Sequence, residues 1–161
     1  MTRFYLWFAA AVGLLCAACE STPRWPHADS GWKTYHNESV GYSLDYPAVC
    51  SVHEYDDGGV IFRFDGGPIL CVSYLTERAA DKRGLWADHD PVAEAALDGR
   101  SGSRYRYDHY DGPMYMHVTS YVVAHNGRYL GLAFRTAHED LNVAQTRVLE
   151  SFRFSQAGGG R

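Results

Sequence analysis

The sequence has no excess of positive charge. Its 161 residues include 15 lysines and arginines against 19 aspartates and glutamates, which gives a formal net charge of −4. A net negative charge does not indicate the basic surface that binds nucleic acid, so we expect no nucleic-acid partner. The chain also lacks His-Glu-x-x-His and Gly-x-Ser-x-Gly, motifs that mark zinc sites and the nucleophile turn of many hydrolases. No internal repeat is evident.

The composition favours one domain built mainly from strands. Hydrophobic residues make up 46% of the chain and aromatic residues 14%, as in an ordinary globular protein. For the chain as a whole, this excludes a disordered tail, a collagen-like fibre and a multi-domain enzyme. The 12 tyrosines, 4 tryptophans and 16 glycines are typical of aromatic-rich strands joined by tight turns.

The N-terminal segment has the pattern of a secretion signal. Arg3 supplies a positive charge, residues 4–15 are continuously apolar, and the small residues Ala17 and Ala18 follow. The apolar run is shorter than the roughly 20 residues that span a bilayer. We therefore predict a signal peptide over residues 1–18, with cleavage after Ala18 leaving Cys19 at the new N-terminus.

The sequence LCAAC at 15–19 resembles a bacterial lipoprotein box, with Cys16 where that family usually has leucine. The resemblance implies that the Cys19 thiol carries diacylglycerol and that its amine is acylated, for example with palmitate. An ordinary signal-peptidase cut at the same bond is the alternative. Because Glu20 is not the aspartate that can retain lipoproteins in the inner membrane, we expect a membrane-anchored protein of the bacterial envelope that faces the periplasm, with the outer membrane preferred.

The two remaining cysteines, Cys50 and Cys71, leave two alternatives open. In an oxidising compartment they can form a disulfide worth ~3 kcal/mol on the chain-entropy estimate. A bridge needs Cα atoms within roughly 7 Å. A simple meander places the cysteines two strands apart, too far unless Cys50 lies where the chain bends into its strand. They also lack the close Cys-x-x-Cys spacing of a redox pair.

Alternating apolar residues and turn signals divide the rest of the chain. We predict a flexible tether over 19–31, a domain over 32–154 and a disordered tail over 155–161. Residues 77–90 fit a surface helix or loop, and 92–97 fit a helix or a strand. Asn126-Gly127 predicts a hairpin. The predicted strands are 40–46, 51–55, 60–64, 69–75, 102–110, 114–124, 128–134 and 152–154, with a helix within 137–152.

Three short motifs resemble the PsbP-like group of bacterial secreted and lipid-anchored proteins. They are WKTY at 32–35, VGYSLDYP at 40–47 and VLESFRF at 148–154. The resemblance implies an α+β fold, an α/β/α sandwich around a central antiparallel sheet, over residues 32–154. It also favours a strand over residues 92–97. Since that fold serves unrelated roles, it implies no activity.

The most unusual local composition is the tyrosine- and arginine-rich run that begins at Arg104. On a strand, Tyr105 and Tyr107 share one face while Arg104 and Arg106 share the other. Tyrosine and arginine are favoured in interfaces, so these four residues are candidates for binding an envelope protein or glycan. The alternative is that the tyrosines pack across strands and the arginines lie on a solvated face.

Three histidines on or beside neighbouring predicted strands, His109, His117 and His125, suggest the alternative of a small hydrolase or metal-dependent enzyme. None of them has the spacing of a known ligand motif, and strand histidines often lie on a solvated face. We therefore assign no catalytic residue, metal ligand or cofactor. The sequence favours a non-catalytic binding or accessory role in the envelope over an enzyme.

Overall fold

The computed structural model describes residues 23–75, 89–111 and 114–155. Within them the chain forms ten strands and one helix. The strands are β1 (Trp32–Asn37), β2 (Tyr42–Pro47), β3 (Ser51–Glu54), β4 (Val60–Phe64), β5 (Gly67–Leu75), β6 (Ala93–Leu97), β7 (Arg100–Asp111), β8 (Met114–His125), β9 (Arg128–Thr136) and β10 (Arg153–Phe154), and the helix is α1 (Val143–Ser151).

The strands form two antiparallel sheets. The small sheet has the order β1-β2-β10, and the large sheet has the order β3-β4-β5-β9-β8-β7-β6. The predicted α+β class and α/β/α sandwich are therefore wrong, because the described residues are mostly strand and contain a single nine-residue helix. The physical reason lies in residues 32–47. Their aromatic and alternating side chains favour strands, and β1 and β2 pair into a second sheet where the expected sandwich has a helical layer.

The main core joins both sheets and the helix. Tyr42 of β2 is fully buried and stacks on Phe152, which directly follows α1, with ring centroids 5.5 Å apart. Tyr35 of β1 meets Phe62 of β4 edge to face at 5.6 Å. The same cluster contains Leu132 of β9. One face of the large sheet is thus covered by the small sheet and α1.

The other face of the large sheet holds a second apolar cluster. It arises because alternate residues of central strands point to opposite faces, and here both sets are apolar. Its buried members are Ile61, Cys71, Tyr105, Tyr107, Met116, Val118, Val122 and Ala133.

Glycine turns confirm two features of the prediction. The predicted Asn126-Gly127 hairpin joins β8 to β9, and both residues have positive φ, 50° and 73°. The ambiguous segment 92–97 forms strand β6. It pairs with β7 through a turn at Asp98 and Gly99, whose φ values are 48° and 75°.

The helix is shorter than the predicted range because Asn142 caps it. The Asn142 side chain accepts a hydrogen bond from the Gln145 backbone N–H, and the Gln145 side chain accepts one from the Asn142 N–H. This reciprocal pair satisfies two backbone donors that a helix start leaves free. Helix α1 accordingly begins at Val143.

The ordered domain begins before the predicted boundary at Trp32. The Trp25 indole donates a 2.8 Å hydrogen bond to the Arg135 carbonyl, and its ring centroid lies 5.9 Å from that of Phe134. Pro26 is buried. The part of the predicted tether from residue 23 onward therefore packs on the domain.

Several predictions lie outside the described residues. They are the signal peptide over 1–18, the lipidated Cys19, the surface segment within 77–88 and the tail from residue 156. In the part of the chain that the structure does describe, no helix is long and apolar enough to cross a membrane.

Candidate binding surface

The two candidate tyrosines of β7 face the second apolar cluster. Tyr105 is 4% exposed and Tyr107 is 8% exposed. On β8, Ser120 lies opposite Tyr105 and Val118 lies opposite Tyr107. Burial raises the pKa of Tyr107 to about 12. These two side chains pack across strands, and a partner that docks from solvent cannot contact them as they stand.

The two candidate arginines point to the opposite face, as the alternation predicts. Arg104 and Arg106 are half-buried, and the Nε atom of each is buried without a hydrogen-bond partner in the structure. The Arg106 guanidinium lies 3.2 Å from the Asp140 carboxylate in the loop before α1. The arginines thus lie at the margin of an accessible surface.

That surface continues along two paired strands, and we call it the β7–β8 face. Antiparallel pairing places Arg106 opposite Thr119, Asp108 opposite His117, and Tyr110 opposite Tyr115. The face consists of Arg104, Arg106, Asp108 and Tyr110 from β7, with Tyr115, His117, Thr119 and Tyr121 from β8.

The far end of the β7–β8 face is the most exposed. Tyr110 is 70% exposed and Tyr115 is 39% exposed, and their ring centroids lie 5.2 Å apart. Farther along the same face is a shallow cavity of about 240 Å³, whose lining includes Arg106, His117 and Glu139. The face therefore combines the apolar area of exposed aromatic rings with polar groups that can form directed hydrogen bonds.

A carboxylate connects the polar groups of this face. The Asp108 carboxylate lies 2.8 Å from Nδ1 of His117. Hydrogen bonds from Tyr115 and then from His117 lower the pKa of Asp108, and the same carboxylate raises the pKa of Tyr115. Asp108 is therefore a carboxylate at neutral pH and holds both neighbours in place.

The structure does not bring the three candidate histidines together. His117 lies on the β7–β8 face, whereas alternation along β7 turns His109 to the other face. His125 is buried at the end of β8, where Nε2 lies 2.7 Å from the Val40 carbonyl and Nδ1 lies 2.8 Å from Arg100. Among the residues that the structure describes, no three side chains form a metal-binding group.

The two domain cysteines, Cys50 and Cys71, are buried, and no disulfide joins them. Cys50 belongs to the main core and Cys71 to the cluster on the opposite face of the large sheet. The disulfide that the sequence left open is therefore absent, since the sheet itself separates the two side chains. Burial raises the pKa of Cys50 to about 11, which makes it a poor nucleophile at neutral pH.

Sequence reasoning did not identify Thr119, Glu139 or Asp140 as neighbours of the candidate arginines. The register of the β7–β8 hairpin could have placed Thr119 opposite Arg106. The loop residues Glu139 and Asp140 reach the face through tertiary packing of the segment before α1, for which the sequence has no local signal.

Comparison with solved structures supports the fold alone. A crystal structure of a protein from Bacteroides thetaiotaomicron VPI-5482, at 1.50 Å resolution, is similar with a TM-score of 0.55 and 11% sequence identity. The match covers 78% of this chain and 49% of that chain, so this chain matches about half of the neighbour's length. No family model matches the chain, and a search of curated proteins finds no match.

Proposed function

We propose that this protein is a lipid-anchored protein of the bacterial envelope with a non-catalytic binding role, and that the β7–β8 face binds an envelope protein. The anchor is the acylated Cys19, which holds the domain at the periplasmic side of a membrane, the outer membrane by preference. The sequence at 15–19 supports the anchor.

The observation that carries the binding role is the exposed pair Tyr110 and Tyr115 on two long, paired strands. Aromatic rings on a rigid sheet contribute contact area with little loss of conformational entropy. Asp108 is the next residue of β7 on the same face, and Arg106 follows it, so the face carries charges of both signs. Tyrosine and arginine are also the side chains that most often dominate the energy of protein interfaces, which favours a protein over a glycan.

One feature supports the enzyme alternative, and it is the Asp108–His117 pair. A carboxylate that orients an imidazole occurs in hydrolytic sites, where the imidazole activates a serine or cysteine. Here the other side chain that hydrogen-bonds to Asp108 is Tyr115, which is neither serine nor cysteine. Cys50 and Cys71 lie in buried clusters away from this face. The pair therefore supports a binding surface better than a hydrolase.

The binding role is tested by removing the exposed rings. We expect the double variant Tyr110→Ser and Tyr115→Ser to lose the partner that the wild-type protein retains after cross-linking in native envelope membranes. Its melting temperature should fall by no more than about 5 °C, because each of the two surface substitutions changes stability by only about 0.5 kcal/mol. The readout is quantitative mass spectrometry of cross-linked peptides that contain residues of β7 or β8.

Tyr129→Ser is the matched control, since Tyr129 is 40% exposed on β9 and lies outside the β7–β8 face. It should retain the cross-linked partner. Equal capture by the double variant and by wild type would contradict the binding role, as would cross-links that map to glycan alone.

A further inference from the structure

A buried histidine lies where the two sheets meet. His125, at the end of β8, is 3% exposed. Its Nε2 atom lies 2.7 Å from the carbonyl oxygen of Val40, in the turn between β1 and β2. Its ring centroid lies 4.5 Å from that of Phe154 in β10. The ring therefore joins the end of the large sheet to the small sheet.

Arg100, the first residue of β7, bonds the other nitrogen of this ring. Its Nη1 atom lies 2.8 Å from Nδ1 of His125, and its guanidinium carbon lies 4.0 Å from the Phe154 ring centroid. Since a guanidinium has only donors, Nδ1 must accept this hydrogen bond. The ring proton is then on Nε2, which donates to the Val40 carbonyl oxygen. The arrangement fits one tautomer of the neutral imidazole.

A second ring proton has no acceptor in this arrangement. Protonation of the ring places an N–H on Nδ1, which then faces a guanidinium N–H of Arg100 across 2.8 Å. Two donors would point at each other and two positive charges would meet, at a site where burial limits screening by water. Protonated His125 and Arg100 cannot keep this contact.

The neighbours from β5, β9 and the β8–β9 turn are neutral or positive. The Tyr74 ring of β5 lies 6.2 Å from the His125 ring, and its hydroxyl donates to the His125 carbonyl at 3.4 Å. The guanidinium carbon of Arg128 on β9 lies 5.0 Å from the same tyrosine ring. Asn126 places a neutral amide 3.3 Å from Nε2. These groups do not compensate a positive charge on the ring.

The acidic groups of the adjoining turns are engaged or exposed. Asp98, in the turn between β6 and β7, accepts a 2.8 Å hydrogen bond from the Phe154 backbone N–H and lies 3.9 Å from Nε of Arg153 in β10. Glu38, in the turn between β1 and β2, is exposed. The conflict is therefore relieved most easily when the guanidinium moves away.

We propose that His125 and Arg100 form a pH switch that controls the C-terminal strand β10. With a neutral ring, Arg100 bonds His125 and covers the ring of Phe154. When the ring gains a proton, Arg100, an exposed residue, turns into solvent and Phe154 loses this contact. Only two residues of β10 pair with β2, so the loss loosens the strand. The switch is independent of the proposed anchor and of the β7–β8 face.

Hydrogen exchange at two pH values tests the switch. Histidine in an unfolded chain titrates near pH 6.5, so the closed arrangement is stable at about pH 7.5 and is lost as the pH falls towards about 5. In ¹⁵N NMR of the full chain, protection of the Phe154 and Ser155 amides, corrected for intrinsic exchange, should fall at least about tenfold over this range. Equal protection at both pH values, or a His125 proton on Nδ1 at the higher pH, would overturn the proposal.

Two variants remove the conflict in different ways. His125→Gln has no titrating ring, and Arg100→Gln, at an exposed residue, replaces the cation with an amide that can accept from a protonated ring. In both, the protection of the two amides should change less than about twofold over the same pH range. His36→Gln, at an exposed histidine of β1, is the matched control and should keep the wild-type response. A wild-type response in Arg100→Gln, or its loss in His36→Gln, would contradict the switch.

Discussion

Gly102→Ala should destabilise the protein by about 3 kcal/mol or more, because β7 and β8 leave no room for a side chain at this position. A Cβ atom on Gly102 would lie 2.1 Å from the Val122 carbonyl oxygen and 2.7 Å from Cγ1 of Val123. The nearer obstacle is backbone, which cannot rotate away. Relief would require β7 to move off β8, and Gly102 is also paired with Ala95 of the edge strand β6.

Gly67→Ala is the control, since Gly67 begins β5 and a Cβ there would come no closer than 3.9 Å to any neighbour, the Phe64 carbonyl oxygen. It should change stability by at most about 1 kcal/mol. The measurement is the free energy of unfolding by chemical denaturation for both variants. Similar losses in the two variants would contradict the close approach of β8 to Gly102.

Phe152→Ala should cost about 3–5 kcal/mol, the range for removing a buried phenylalanine side chain. Phe152 is fully buried where the chain leaves α1. Its ring stacks on Tyr42 at 5.5 Å and meets Phe154 edge to face at 5.1 Å. The substitution would open a cavity where α1 meets the small sheet, so the midpoint of thermal unfolding should fall sharply.

Val143→Ala provides the comparison within the same helix, because Val143 is 77% exposed. Its free energy of unfolding should lie within about 0.5 kcal/mol of wild type. If both variants proved equally stable, the helix would not be packed on the small sheet through Phe152.

The sequence predicts the strands of the large sheet well because their signals are local. Alternating residues and the Asn126-Gly127 turn suffice to define β8 and β9. Strand β1 was not predicted, since its burial pattern depends on pairing with β2. The α/β/α sandwich was wrong because it came from short motifs that are compatible with more than one arrangement of layers.

The candidate surface could be predicted only in part. Alternation along β7 correctly separates Tyr105 from Arg106, but it does not say which face is covered. The second apolar cluster covers the tyrosines, whereas the contact between Arg106 and Asp140 joins residues far apart in sequence. Such contacts depend on where α1 packs, which local periodicity does not determine.

The lipid anchor is the part of the proposed function that places this domain in the envelope, and one measurement tests it directly. Intact-mass analysis of the protein extracted from its native membranes should give a chain that begins at Cys19 and carries a diacylglycerol and an N-linked acyl group. The Cys19→Ser variant should lack this mass and leave the membrane fraction, whereas Cys16→Ser should keep both. A wild-type chain that begins at an unmodified Cys19, or that retains residues 1–18, would contradict the account.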